Sequence, residues 1–358
     1  MYNSAIKLKF VLLMVVLIVL YSNTNAQIAT NVNNLQTLSD KYQGEWQKKS
    51  DKVKVYSTEK GISIRSVMPD GRIIEMVDVQ NGKPVYFTTN NLGAATTTRA
   101  NTLWTGGILG LSVDGLGYNN IGEWDGGAVR TSHYEFTAGG TLPSRVTQVD
   151  GATSISDHAT HVAGTLVASG QSANAKGMLH KGTLKAYDWN SDDAEMAAAA
   201  ANGLELSNHS YGYIHGWHWN GSSWDWYGDA AVSSQEDYHF GLYTTDARNW
   251  DDIAYNAPFY LIVKSAGNDR GDGPTDGAYP QDGAPNGYDC IGTQAVAKNI
   301  LTVGAVNGVS SYTGPSSVVM SSFSSWGPAD DGRIKPDIVG KGVGLYSSVG
   351  SSNTAYAS

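Results

Sequence analysis

The chain has 358 residues, 42 of them glycine, and a formal net charge of −9. Hydrophobic residues make up 41% of it, enough to build a core, whereas charged residues make up only 16%. This composition excludes a disordered chain and a coiled coil. The negative charge argues against a general nucleic-acid binder, since phosphate binding requires a basic face. The length allows one large domain with a small one, or two medium ones.

Residues 1–26 have the pattern of a secretory signal peptide. Two lysines precede an apolar run at residues 10–21, and small and polar residues follow, with Ala26 placed for cleavage before Gln27. A membrane anchor is the alternative, but a bilayer span needs about 20 apolar residues. We therefore expect a secreted or cell-surface protein with no membrane span beyond this segment.

The chain contains one cysteine, Cys290, which cannot form an internal disulfide. Cys290 is either a reactive thiol or a small buried residue. Free cysteine usually behaves as a core hydrophobe, so we expect it to be buried.

Residues 27–102 form a distinct N-terminal region. Residues 27 to 48 are polar and predict at most a short helix. Short alternating apolar runs then follow, broken by the dipeptides KG, DG and NG at 60–61, 70–71 and 81–82. These dipeptides are hairpin signals, so the pattern predicts a small antiparallel sheet of about four strands. The small and polar stretch 92–102 is typical of a linker.

From residue 103 the pattern changes to short strands alternating with helices. Strands are predicted at NIGEWD, TLKAYDW, LELSNHS, YLIVKSAGN and ILTVGAVN, and helices at HATHVAGTLVAS, SDDAEMAAAAANG and ARNWDDIAYNAP. Ser191 is the expected N-cap of the second helix and Gly203 its terminating glycine. This alternation predicts an α/β fold, with a mostly parallel sheet covered by helices on both faces. In such sheets the chemistry lies at the carboxyl ends of the strands.

Residues 213–229 hold four tryptophans at two-residue spacing around Asn220 and Gly221, which predicts a hairpin with the tryptophans on one face. The hairpin is either a hydrophobic flap packed on the body or the aromatic wall of a binding cleft.

The stretch ISDHATHVAGT, residues 155–165, contains two histidines. His158 and His161 are three residues apart with no glutamate between them, unlike the His-Glu-x-x-His pattern of helical zinc sites. A metal-dependent hydrolase using both histidines and an acidic residue is therefore only a rival hypothesis.

Candidates for three parts of a serine-hydrolase site lie at strand ends or at a helix start. Such a site needs a base histidine, a carboxylate that orients it, a hydroxyl and donors to the oxyanion. Asp125 ends the strand IGEWD, His158 opens a helix, and Asn268 ends YLIVKSAGN. Each residue taken singly is also an ordinary turn, helix-start or loop residue.

Five segments resemble those of subtilisin-like serine peptidases, the subtilases. They are WDGG, HATHVAGT, NHSYG, SAGN, and FSSWGP with KPDIVGKG, spread in the family's order over residues 105–358. Ala159 and Gly126 stand where the family has a glycine and a hydroxyl residue.

The resemblance implies a role for each matched residue. Asp125 would orient the imidazole, His158 would be general base and then acid, and Asn268 would donate to the oxyanion. His161 would be structural. The segments expected to border the substrate cleft are Ser210, Tyr211 and Gly212, and Ser265, Ala266 and Gly267.

The family's nucleophile segment, Gly-Thr-Ser-Met-Ala, does not occur in the sequence. Ser358 lacks its flanking residues, so we do not assign it as the nucleophile. The expectation is a peptidase domain at 103–358 that is incomplete at its C-terminus, preceded by a candidate prosegment and linker at 27–102. Residues 27–358 alone should be inactive and should not react with a serine-directed fluorophosphonate.

The resulting hypothesis is a secreted serine endopeptidase that binds protein or peptide substrates as extended chains. No cofactor would take part in catalysis. Structural calcium is common in the family, but no acidic loop assigns a site for it. The alternative is a catalytically inactive binding protein of the same fold, with the aromatic hairpin holding peptide or glycan.

Overall fold

The computed structural model describes residues 29–67, 73–89, 97–277 and 279–358. The predicted signal peptide lies outside the described residues. Within them, no helix combines the length and the apolar character needed to cross a membrane.

The N-terminal region begins with a 29-residue helix, α1 (Val32–Lys60), where the sequence pattern predicted a short helix and then a strand. That prediction was wrong. The buried residues Leu35, Tyr42 and Val53 are 7 and 11 residues apart, close to two and three helical turns, so they share one face. Packing of this face against the domain outweighs the local alternation in KVKVY. The expected hairpin at 60–61 is instead the helix end, where Gly61 adopts a left-handed conformation.

Three antiparallel strands follow: β1 (Arg65–Val67), β2 (Ile73–Gln80) and β3 (Lys83–Thr89). The predicted hairpin at 81–82 is confirmed, since Gln80 pairs with Lys83 across it. The dipeptide at 70–71 and residues 92–96 of the expected linker lie outside the described residues. The sheet has four strands as expected, but its fourth strand is Tyr211–Tyr213, from the C-terminal part of the chain.

The C-terminal part is built on a seven-stranded parallel sheet, which confirms the predicted α/β fold. The strands of this part are β4 (Ile121–Asp125), β5 (Val146–Gln148), β6 (Leu184–Asp188), β7 (Leu206–His209), β8 (Tyr211–Tyr213), β9 (Trp217–Trp219), β10 (Trp224–Trp226), β11 (Leu261–Ser265), β12 (Leu301–Val306), β13 (Ile338–Lys341), β14 (Ser347–Ser348) and β15 (Tyr356–Ala357). The order in the main sheet is β13-β12-β11-β7-β4-β6-β5. All five predicted strands belong to it.

Three α-helices lie against this sheet: α2 (Asp157–Val167), α3 (Asp192–Ala201) and α4 (Thr245–Asn256). Side chains alternate between the two faces of a strand, so Ile121 and Trp124 of β4 enter different hydrophobic clusters. Trp124 packs with residues of α1, α3 and α4, whereas Ile121 packs with residues of α2.

The expected cap of α3 is only partly right. Ser191 does occupy the N-cap position, but its backbone is left-handed and its side chain makes no capping bond. The Ser191 hydroxyl instead donates to the side-chain oxygen of Gln43 on α1, at 2.6 Å. A contact with the N-terminal region therefore replaces the local cap.

The tryptophan hairpin exists as predicted, with Trp217 paired with Trp226 and Trp219 paired with Trp224. The ring centroids of these pairs are 5.1 and 5.5 Å apart. The connecting loop contains four residues, 220–223. The Trp217 indole donates to the carbonyl of Pro280, which anchors the base of the hairpin to the body.

Candidate active site

The end of β4 and the start of α2 bring Asp125 and His158 together. Nδ1 of His158 lies 2.8 Å from each carboxylate oxygen of Asp125, and that carboxylate is fully buried. A carboxylate can only accept, so Nδ1 carries a proton, and in the neutral ring the lone pair is therefore at Nε2. Nε2 is buried, and none of the residues that the structure describes gives it a hydrogen-bond partner. This is the tautomer and orientation that a general base requires.

The turn after Asp125 holds its carboxylate in place. The backbone N–H of Gly126 donates to Oδ1 of Asp125 at 2.7 Å. Gly127 has φ +128°, and a β-carbon there would lie 2.7 Å from the carbonyl oxygen of Ser154. Glycine is therefore required at position 127, both for its backbone conformation and for space.

Asn268 follows β11, which is separated from β4 in the sheet by β7 alone. Because these strands are parallel, Asn268 and Asp125 come from the same edge of the sheet. Asn268 is half-buried. Ser325 supports its turn, since the Ser325 N–H donates to the carbonyl of Gly267 and its hydroxyl donates to the Asp269 carboxylate at 2.9 Å.

In the first predicted cleft segment, Ser210 to Gly212, the backbone is the part that pairs with another strand. The Tyr211 side chain is fully buried and donates its hydroxyl to Asp192 at 2.6 Å, so it faces the core. In the antiparallel register of β3 and β8, Thr89 is opposite Tyr211 and Thr88 is opposite Gly212. The N-terminal region therefore occupies this strand edge.

The second predicted cleft segment is Ser265 to Gly267. The Ser265 hydroxyl accepts from the ammonium of Lys264 at 3.0 Å, and the Ala266 N–H donates to the carbonyl of Val303. Ala266 is buried, whereas Ser265 and Gly267 are half-buried. This segment is thus anchored to β12 on one side.

Two buried ionisable groups beside these segments were not singled out from the sequence. Glu123 is two residues before Asp125 on the same face of β4, and within the described part of the chain neither of its carboxylate oxygens has a hydrogen-bond partner. Burial, then the charge of Asp125, raises the pKa of Glu123 well above its usual range. Burial lowers the pKa of Lys264 to about 7. The sequence signal that could have identified both groups is a charged residue within a predicted strand.

His161 and Cys290 are both internal. A ring nitrogen of His161 lies 3.1 Å from the carbonyl oxygen of Leu345, and burial lowers the pKa of this histidine. Among the described residues, no group of three metal-ligating side chains includes His158 or His161. Cys290 is fully buried, as predicted, and burial raises the pKa of its thiol to about 12.

Comparison with known proteins places the chain in a family. The sequence model of the subtilase family matches residues 140–358, which is more than half of the chain. The protein therefore belongs to the subtilase family. The matched region contains His158 and Asn268 and begins after Asp125. No curated protein matches the chain.

Similar solved structures include two proteases. The CspB protease of Clostridium perfringens is 14% identical, with a TM-score of 0.46 over 74% of this chain and 84% of that one. The MycP3 protease from the type VII (ESX-3) secretion system is 18% identical, with a TM-score of 0.44 over 76% of this chain and 72% of that one.

Proposed function

We propose that the protein is a secreted serine endopeptidase in which Asp125 and His158 are two members of a catalytic triad. The observation that carries this proposal is the bond between the buried Asp125 carboxylate and Nδ1 of His158, which leaves Nε2 without a partner. The pair lies at the carboxyl edge of a parallel sheet, where α/β folds place their chemistry. Membership of the subtilase family supports the same reaction class.

The residues have separate tasks in this mechanism. His158 would accept the proton of a serine hydroxyl through Nε2 and later donate it to the leaving amine, while Asp125 stabilises the imidazolium. Asn268 would donate to the oxyanion, a contribution of about a hundred- to a thousandfold in rate. The family's nucleophile segment does not occur in residues 1–358, so none of their serines is assigned as the nucleophile.

We propose that residues 27–102 act as a prosegment that covers the substrate cleft. The pairing of β3 with β8 supports this, because β8 is a strand with which an extended peptide would pair. Phe87 of β3 also packs between the rings of Tyr213 and Tyr211, with centroids 4.7 and 5.3 Å away. Substrate would bind to β8 after β3 has been displaced.

Arg65 provides a second link between the two parts. Its guanidinium donates to the carbonyl of Gly126, directly after Asp125, and forms an ion pair with Glu75 on β2. The N-terminal region thus contacts both the cleft strand and the turn that holds Asp125.

The test uses protein expressed from the natural gene, assayed for hydrolysis of casein and for reaction with a fluorophosphonate. Asp125→Asn should lower kcat about ten-thousandfold, because the imidazole is then held in the wrong tautomer. Asp157→Asn is the matched control, since Asp157 is an exposed aspartate in the first turn of α2. Equal activity of both variants would overturn the assignment of Asp125.

The alternative function is an inactive binding protein that uses the aromatic hairpin. The partial exposure of its four tryptophans favours this candidate, with Trp219 the most exposed at 38%. It would be supported if the natural protein neither hydrolyses casein nor reacts with the fluorophosphonate, while peptide or glycan quenches tryptophan fluorescence and Trp219→Ala abolishes the quenching.

A further inference from the structure

Two histidines and an aspartate, two of them buried and one half-buried, form a cluster that plays no part in the proposed peptidase chemistry. His215 follows β8, whereas Asp237 and His239 belong to the segment between β10 and α4. One ligand atom of each residue lies within 4.8 Å of those of the other two. Within the described part of the chain, this is the group of His, Cys, Asp and Glu side chains with metal-binding geometry.

The backbone fixes the carboxylate of this cluster. Oδ2 of Asp237 accepts from the N–H of Gly216 at 2.8 Å, and Oδ1 accepts from the N–H of His239 at 3.1 Å. Backbone donors of this kind orient a carboxylate as outer-shell partners orient a metal ligand. Asp237 is therefore held in one position before any ion binds.

The spacing of the three groups suits a small cation. Oδ1 of Asp237 is 2.7 Å from Nδ1 of His239, and Oδ2 is 3.9 Å from Nδ1 of His215. With zinc–ligand bonds of about 2.0 Å in a tetrahedral site, neighbouring ligand atoms are about 3.3 Å apart. One observed distance is shorter and the other longer than that value, and they join the rings to different oxygens of Asp237, so both rings would have to move to bind one ion.

His215 also has an unmet bonding need. The side chain is only 7% exposed, and its buried Nε2 atom has no hydrogen-bond partner among the described residues. The hydroxyl of Thr293 is likewise buried without a partner, and both residues line the same cavity of about 530 Å³. A water or an ion is one kind of partner that such buried polar groups take, and Nε2 is the ring nitrogen of His215 other than the one nearest Asp237. The cavity also gives an ion a path to the cluster.

We propose that His215, Asp237 and His239 bind a divalent transition-metal ion of the zinc class, with the cavity supplying water as the remaining ligand. Two imidazole nitrogens favour zinc over calcium or magnesium, which take oxygen ligands. The ion would tie the chain just after β8 to the segment that precedes α4. Its expected role is to hold the end of β8 in place.

The experiment uses the full chain, freed of metal with a chelator and then titrated with Zn²⁺ or Co²⁺. One equivalent should bind, Co²⁺ should give the visible absorption of a tetrahedral site, and Tm should rise because the ion binds only the folded state. These readouts do not depend on peptidase activity, so they can fail while the peptidase proposal stands.

His239→Gln should abolish the Co²⁺ spectrum and the rise in Tm. The substitution is mild, since the His239 side chain is 25% exposed and glutamine can still donate to Asp237. His180→Gln is the matched control, because His180 is also buried with an unpartnered ring nitrogen but lies in another part of the fold. Absence of stoichiometric binding, or binding that survives His239→Gln unchanged, would overturn the proposal.

Discussion

Replacing Glu123 by leucine should stabilise the protein. Both carboxylate oxygens of Glu123 are buried without a partner among the described residues, and Glu123 belongs to β4, which pairs with a strand on each side. A buried polar group without a hydrogen bond costs about 1–3 kcal/mol. Leucine has a similar volume and needs no partner, so we expect the free energy of unfolding at pH 7 to rise by about 1–3 kcal/mol.

The same substitution should change how stability depends on pH. Burial raises the pKa of Glu123 in the folded state, so the folded protein keeps a proton that the unfolded chain releases. The contribution of Glu123 to stability is therefore greatest below the unfolded pKa of about 4.3 and falls by about 1.4 kcal/mol per pH unit as pH rises toward the folded pKa. Glu123→Leu removes this contribution.

Urea denaturation of both proteins at several pH values between 5 and 8 measures the effect. The stability difference should grow as pH rises. Glu123→Gln should remove the contribution of Glu123 to the pH dependence of stability but retain unpartnered polar atoms. Glu59→Gln, at an exposed position of α1, should change the free energy of unfolding little. A leucine variant that is less stable than wild type at pH 7, or a difference independent of pH, would refute the reasoning.

Two further predictions concern buried residues. Leu35 of α1 is fully buried against the domain, so Leu35→Ala should lower the free energy of unfolding by about 2–5 kcal/mol in urea denaturation. A change below about 1 kcal/mol would count against this packing. Cys290 is fully buried and burial raises its thiol pKa to about 12, so a thiol reagent should modify it only after denaturation. Rapid modification of the native protein would contradict its burial.

The sequence by itself determined the α/β architecture and the residues proposed for catalysis. Strand and helix patterns depend on neighbouring residues, and therefore β4, α2 and β11 lie where their hydrophobic periodicity places them. Asp125 and His158 were identified from short motifs, and the structure brings their side chains to 2.8 Å. Their roles in catalysis are still predictions.

Only the tertiary structure decided what depends on distant contacts. The KVKVY stretch alternates like a strand, yet it is helical because α1 buries one face against α3 and β2. The pairing of β3 with β8 and the convergence of His215 with Asp237 and His239 join segments whose separation in sequence says nothing of their distance in space. Local patterns report the period of a segment, but the partner of a strand edge or a buried side chain is set by the packing of the whole chain.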